Sequence, residues 1–184
     1  MLDGERVEIS GVTAMDAGLV VARLAVGLLM AAHGTQKLFG WFGGHGLAGT
    51  GGFFEQLGFR PGKLFAGLAS SAEVGGGLLL ALGFLGPVGP AVILSVMVVA
   101  AVTVHWPHGV FAQNNGIEVP LLYGVAAVAL ALTGPGAYSL DAALGLSTLW
   151  TPGVTLAVLA AGVLGGLANL ALRRPATATA AAAA

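Results

Sequence analysis

The chain of 184 residues contains no cysteine, which excludes disulfide staples, thiol relays, cysteine-ligated zinc and iron–sulfur clusters together. Charge is scarce as well. Lys, Arg, Asp and Glu make up 8% of the residues against 57% apolar ones, far from the balance of a water-soluble globular domain. These four residue types are missing altogether from 24–36, 74–117, 119–140 and 142–172, windows that approach or exceed the roughly 20 apolar residues that span a bilayer. A formal net charge of −1 excludes a basic protein that coats polyanions, so no nucleic acid is expected among the partners. The lipid bilayer is the first partner to expect, and any redox chemistry has to be borrowed from a cofactor or a second protein.

What is present is a series of five apolar segments: Asp16–Phe39, Lys63–Leu85, Val88–His105, Glu118–Thr133 and Pro152–Leu172. Each is predicted to be a helix, because a lone strand in lipid leaves its backbone polar groups unpaired. Gly86-Pro87 and Gly134-Pro135-Gly136 mark breaks, and Thr151-Pro152 is a good helix start. The expected fold is an all-α integral membrane protein, a four-helix transmembrane bundle plus an additional C-terminal transmembrane helix. The chain divides into an N-terminal tail at 1–15, a membrane domain at 16–144 with a long glycine-rich loop at 40–62, the extra span at 145–172, and a basic end with a disordered Ala/Thr tail at 173–184. Within the long loop, Thr50–Leu57 reads as a short amphipathic helix lying along the interface. Lys37, Arg60 and Lys63 near the first loop and Arg173-Arg174 after the last span fall on one side with five spans, which places the N-terminus outside and the C-terminus in the cytoplasm.

A charged side chain in hydrocarbon costs roughly 2.5–3.5 kcal/mol on insertion scales, so each one retained inside a span calls for a partner or a task. Arg23 and Glu73 are the clear cases. Counting about 1.5 Å per residue from the helix ends near Phe39 and Lys63 puts Arg23 roughly 24 Å deep and Glu73 roughly 15 Å deep, an offset a guanidinium can largely cover, and the reading is an Arg23–Glu73 ion pair. The functional alternative makes Glu73 a proton-exchanging acid. Lys37 reads as a cytoplasmic anchor, and Gly27 and Gly34 as points of close helix approach. The loop after the third span holds His105, His108, Asn115 and Glu118, which converge with His33 and Lys37 on the cytoplasmic end; Glu118 also suits a helix N-terminus electrostatically. No tight pair of ligands at helical spacing exists, so no metal site is assigned, and a metal or a haem between His33 and His105 is disfavoured.

The run from Arg23-Leu24 through His33-Gly34-Thr35-Gln36-Lys37-Leu38-Phe39-Gly40, the loop with Gly49-Thr50, Phe53-Phe54 and Leu57-Gly58, Glu73 followed by glycines, His105, His108-Gly109, Asn115-Gly116-Ile117-Glu118 and Tyr138-Ser139-Leu140-Asp141 together resemble the DoxX family across roughly residues 17 to 144. The family comprises small bacterial four-helix membrane proteins, and its relative DoxD is described as part of a thiosulfate:quinone oxidoreductase. The resemblance implies a multi-pass protein of the bacterial inner membrane that serves as a quinone-linked subunit of an oxidoreductase complex. In that role Glu73, His105, His108 and Glu118 are the catalytic candidates for moving protons, and Arg23, His33, Lys37, His105 and Asn115 the candidates for holding a quinone. No electron donor is encoded, so a soluble oxidoreductase subunit is the expected partner. The rival reading is a non-catalytic membrane anchor or scaffold that recruits a soluble redox enzyme; a small-solute carrier is a third, for which the chain is short. Homo-oligomerisation through the glycines is compatible with each.

Overall fold

A computed structural model describes residues 2–174, with side chains described from residue 14 onward; the expected Ala/Thr tail from Pro175 lies outside the described residues. Seven α-helices follow one another: α1 (Leu2–Phe39), α2 (Gly46–Gln56), α3 (Gly62–Leu82), α4 (Val88–Ala100), α5 (Glu118–Thr133), α6 (Leu140–Ala143) and α7 (Pro152–Ala171), with no strand among the described residues. Ala14–Phe39 of α1, α3, α4 with its continuation to His108, and α7 are each long and apolar enough to cross a bilayer, and α5 is a shorter apolar helix of 16 residues. The protein is an all-α, multi-pass membrane protein.

Three helix ends differ from the sequence expectation, and the first is the start of α1, which is helical from Leu2 through the stretch expected as a tail. α3 stops at Leu82 because Gly83 turns left-handed at φ 62° and the Phe84 amide bonds back to the Leu79 carbonyl at 2.9 Å, which closes the helix end. α4 leaves regular α geometry at Ala101, where a π turn runs to His105. The amphipathic helix in the first loop is real and starts earlier than expected, at Gly46. Phe59 tucks the end of that loop inward, with ring centroids 5.8 Å from Phe54 and 5.4 Å from Phe65. Glu55 Oε1 then accepts from the Gly62 amide at 3.2 Å at the start of α3, satisfying a donor the helix leaves free.

The helices of the bundle pack through small residues. α1 runs antiparallel to α3, and a Cβ placed on Gly27 would sit 2.5 Å from the Gly77 carbonyl oxygen, so only glycine permits this approach. α4 lies centrally, against α3, α5 and α7. α7 runs parallel to α4, with Gly162 over Ala91 and Gly166 over Ser95 and Val98. The core consists of Met30, Leu80, Ile93, Met97 and Ala127, flanked by Tyr123, while Ala91, Ala131 and Leu159 join α4, α5 and α7. Leu28, Leu68, Leu122 and Leu164 point outward, the apolar coat expected of a bundle solvated by acyl chains.

Candidate functional site

The end of the bundle where α2 folds over α3 and α4 contains a cavity of about 530 Å³, within the roughly 300–1,000 Å³ range of small-molecule sites. Phe53, Phe54, Phe59 and Phe65 supply aromatic walls, and α4 adds an apolar stripe of Val92, Val96 and Val99 at the spacing of one helix face. The π turn widens the helix there, and Thr103, Val104 and His105 all line the cavity. Lys37, Thr50, Ser95 and Asn169 complete its polar lining. The Thr50 and Thr103 hydroxyls donate to the backbone carbonyls of Lys37 and Val99, at 3.3 and 2.8 Å, so Lys37, His105 and Asn169 carry most of the cavity's polar chemistry.

Lys37 pairs with Glu73: its Nζ donates to Oε1 of a carboxylate that is 1% exposed. The expected Arg23–Glu73 pair does not form. Contacts at Gly27, Gly34 and Gly77 set Glu73 opposite residue 33 and Arg23 opposite Gly83, which separates the two by about 15 Å along the bundle at 1.5 Å per residue. Side-chain lean decides the matter further. Helical side chains tilt toward the N-terminus of their own helix, so in antiparallel α1 and α3 the Lys37 and Glu73 side chains lean toward each other, and Arg23 leans away. Arg23 instead donates to the carbonyls of Pro135 and Tyr138 at the opposite end, which ties α1 to the segment after α5. A cavity of about 250 Å³ lies beside it. Glu73 Oε2 and Arg23 Nε are buried without a hydrogen-bond partner.

The other candidates divide into cavity and scaffold. His105 lines the cavity, and its Nδ1 is 2.8 Å from the Asn115 carbonyl. Asn115, exposed and left-handed at φ 62°, thus acts through its backbone by orienting His105. His108 Nδ1 is 2.8 Å from the Val104 carbonyl on the exposed side of the same turn. Glu118 Oε2 accepts from the Ala112 amide at 2.7 Å, which folds the connecting loop back on the start of α5. His33 lies outside the cavity, with Nδ1 3.2 Å from Gln36 Oε1 and its ring edge-on to Tyr123 at 5.9 Å. Among the described residues no three His, Asp or Glu side chains gather as a metal site.

Sequence reasoning overlooked three residues. Asp141 is fully buried and accepts from the Leu85 and Gly86 amides and from Trp150 Nε1 at 2.9, 2.6 and 2.7 Å; its signal was a single carboxylate in an otherwise uncharged run. Tyr123 packs on the core, edge-on to His33, and nothing in its sequence context marks it. Asn169 stands out as a carboxamide in an apolar span.

The DoxX family model matches residues 18–106. The chain belongs to the DoxX family. No curated protein matches it, and no solved structure does. The matched DoxX segment runs from α1 to Trp106 and so includes Arg23, His33, Lys37, Glu73 and His105. His108, Asn115, Glu118, α5 and α7 lie beyond it.

Proposed function

We propose that this DoxX protein is the quinone-binding membrane subunit of an oxidoreductase complex in the bacterial inner membrane, with the head group taken up in the α2–α3–α4 cavity at the cytoplasmic end. The observation that carries the reading is the junction of Lys37 with both the aromatic cavity and a buried carboxylate that has one oxygen unpartnered. The residues present suit such a guest. Phenylalanines and valines offer a dry slot for a ring and isoprenoid tail, and Lys37 and the free Nε2 edge of His105 offer hydrogen bonds to carbonyl oxygens. A bound quinone supplies two-electron, two-proton chemistry. Lys37 positions the Glu73 carboxylate and donates an Nζ proton to the cavity, and the Glu73 carboxylate returns one to Lys37 by taking up and releasing a proton at its unpartnered Oε2. His108 and Glu118 take a supporting part, through the fold of the loop that aims His105. Electrons come from a soluble subunit, for which Trp106, Val110 and Phe111 on the same end form an exposed landing surface.

The anchor reading draws support from that same loop, where His105, His108 and Glu118 all bond to backbone groups. The two readings separate in nanodiscs. Titration with decylubiquinone should quench tryptophan fluorescence saturably, and Lys37→Met should raise Kd about tenfold, the loss of a charge-assisted hydrogen bond. In the assembled complex Glu73→Gln should keep the partner bound and abolish quinone-dependent turnover. Absence of saturable quenching, or full turnover with Glu73→Gln, would favour the anchor.

A further inference from the structure

Resting on the quinone reading, we propose that Asn169 of α7 is a ligand-binding residue of the cavity, one whose carboxamide holds the polar edge of the guest in both its oxidised and its reduced form. α7 lies outside the residues matched by the DoxX model, yet it reaches the cavity through Asn169. Three features bring it there. Gly162 and Gly166 let α7 lie parallel on α4, which sets its last turn level with Val98 and Val99. The Arg173 Nε donates to the Leu57 carbonyl at 2.6 Å, and the Arg174 amide to the Gly58 carbonyl at 2.8 Å. These bonds clamp the end of α7 onto the end of α2, one turn beyond Asn169.

Residues 156–172 contain no other polar side chain, and an amide in an apolar span is costly unless something bonds it. Among the described residues nothing hydrogen-bonds the Asn169 carboxamide, and it faces the cavity. Its chemistry complements that of its neighbours. Lys37, with one N–H on Glu73, donates only, and His105 has one ring nitrogen engaged with Asn115. A carboxamide both donates and accepts. Its N–H₂ suits a quinone carbonyl and its oxygen suits a quinol hydroxyl, so the same residue retains the guest before and after reduction.

The absence of cysteine makes the test direct, because Asn169→Cys introduces a unique thiol. In nanodiscs decylubiquinone should slow maleimide labelling of that thiol and leave Leu164→Cys, on the lipid face, unaffected. Asn169→Leu should retain the wild-type Tm and raise Kd for both decylubiquinone and its quinol roughly fivefold to tenfold, the loss of one hydrogen bond. If the wild type binds and Asn169→Leu binds equally, with no protection of the thiol, the Asn169 assignment falls and the quinone reading stands. If the wild type itself shows no saturable binding, the quinone reading falls and takes this assignment with it.

Discussion

Glu73 holds a single hydrogen bond, to Lys37, and is buried at 1% exposure. Removing one member of a buried pair leaves the other charge stranded, which costs roughly 3–5 kcal/mol, whereas removing both is far milder. The Lys37 side chain is 34% exposed, so the lower end of that range, or somewhat less, is expected for Lys37→Met. The double variant Lys37→Met/Glu73→Gln should recover most of the lost thermal stability in detergent; strictly additive losses in Tm would show that the pair is not coupled. Asp141 poses the same question without a cation. It satisfies two backbone amides and an indole, and Asn in its place offers one acceptor oxygen and no charge. Asp141→Asn should cost about 2–4 kcal/mol by the usual worth of bonds to ionised groups and shift the emission of Trp150 to the red; unchanged Tm and emission would contradict the hub role. Charge in the apolar runs was legible for Arg23 and Glu73, since an ion in a hydrophobic segment announces itself, and Asp141 was passed over although it carries the same signal. Their partners were not legible, because pairing depends on helix register set by Gly27, Gly34 and Gly77 and on the direction in which each side chain leans.

At the level of elements, the five apolar helices follow from composition alone, and Thr50–Leu57 lies in the right place because Phe53 and Phe54 face one way and Glu55 the other. The π turn at Ala101–His105 carries no sequence mark, since it shows only in backbone bonding, and it was the feature needed to see that His105 joins the cavity. The docking of α7 was equally hidden: Gly162 and Gly166 read as ordinary small residues until Ala91 and Ser95 are found beneath them. That contact makes a prediction for the element as a whole. A leucine at 162 must force α7 off α4, with an overpacking cost of about 1–3 kcal/mol. Gly162→Leu should lower Tm and, by carrying Asn169 and the Arg173 clamp away from α2, open the cavity to lipid and weaken quinone binding. Gly153→Leu, where the space for a side chain is open, should do neither. Equal effects at both sites would mean that α7 contributes hydrophobic length and no close contact.

On the scale of the molecule the two ends are electrically unlike. Lys37, Arg60, Lys63, Arg173 and Arg174 belong to the end that holds the cavity, and the Leu57 and Gly58 carbonyls join the C-terminal arginines to the first loop there. The other end has Asp16 bonded to the Ala137 amide and Asp141 within the 134–151 segment, with Arg23 buried. Basic residues in short loops remain on the side of synthesis because moving them across against the membrane potential is unfavourable. On the proposed reading, that rule puts the cavity end in the cytoplasm and the 134–151 segment outside, so that the proposed soluble electron donor would meet the exposed Trp106 and Phe111 from the cytoplasmic side. The cysteine-free background again makes the measurement clean. In intact cells a membrane-impermeant maleimide should label Ser147→Cys and should fail to label Arg60→Cys until the membrane is opened. The reverse pattern would turn the molecule over, put the cavity on the outer face, and require the proposed electron donor to be an exported protein.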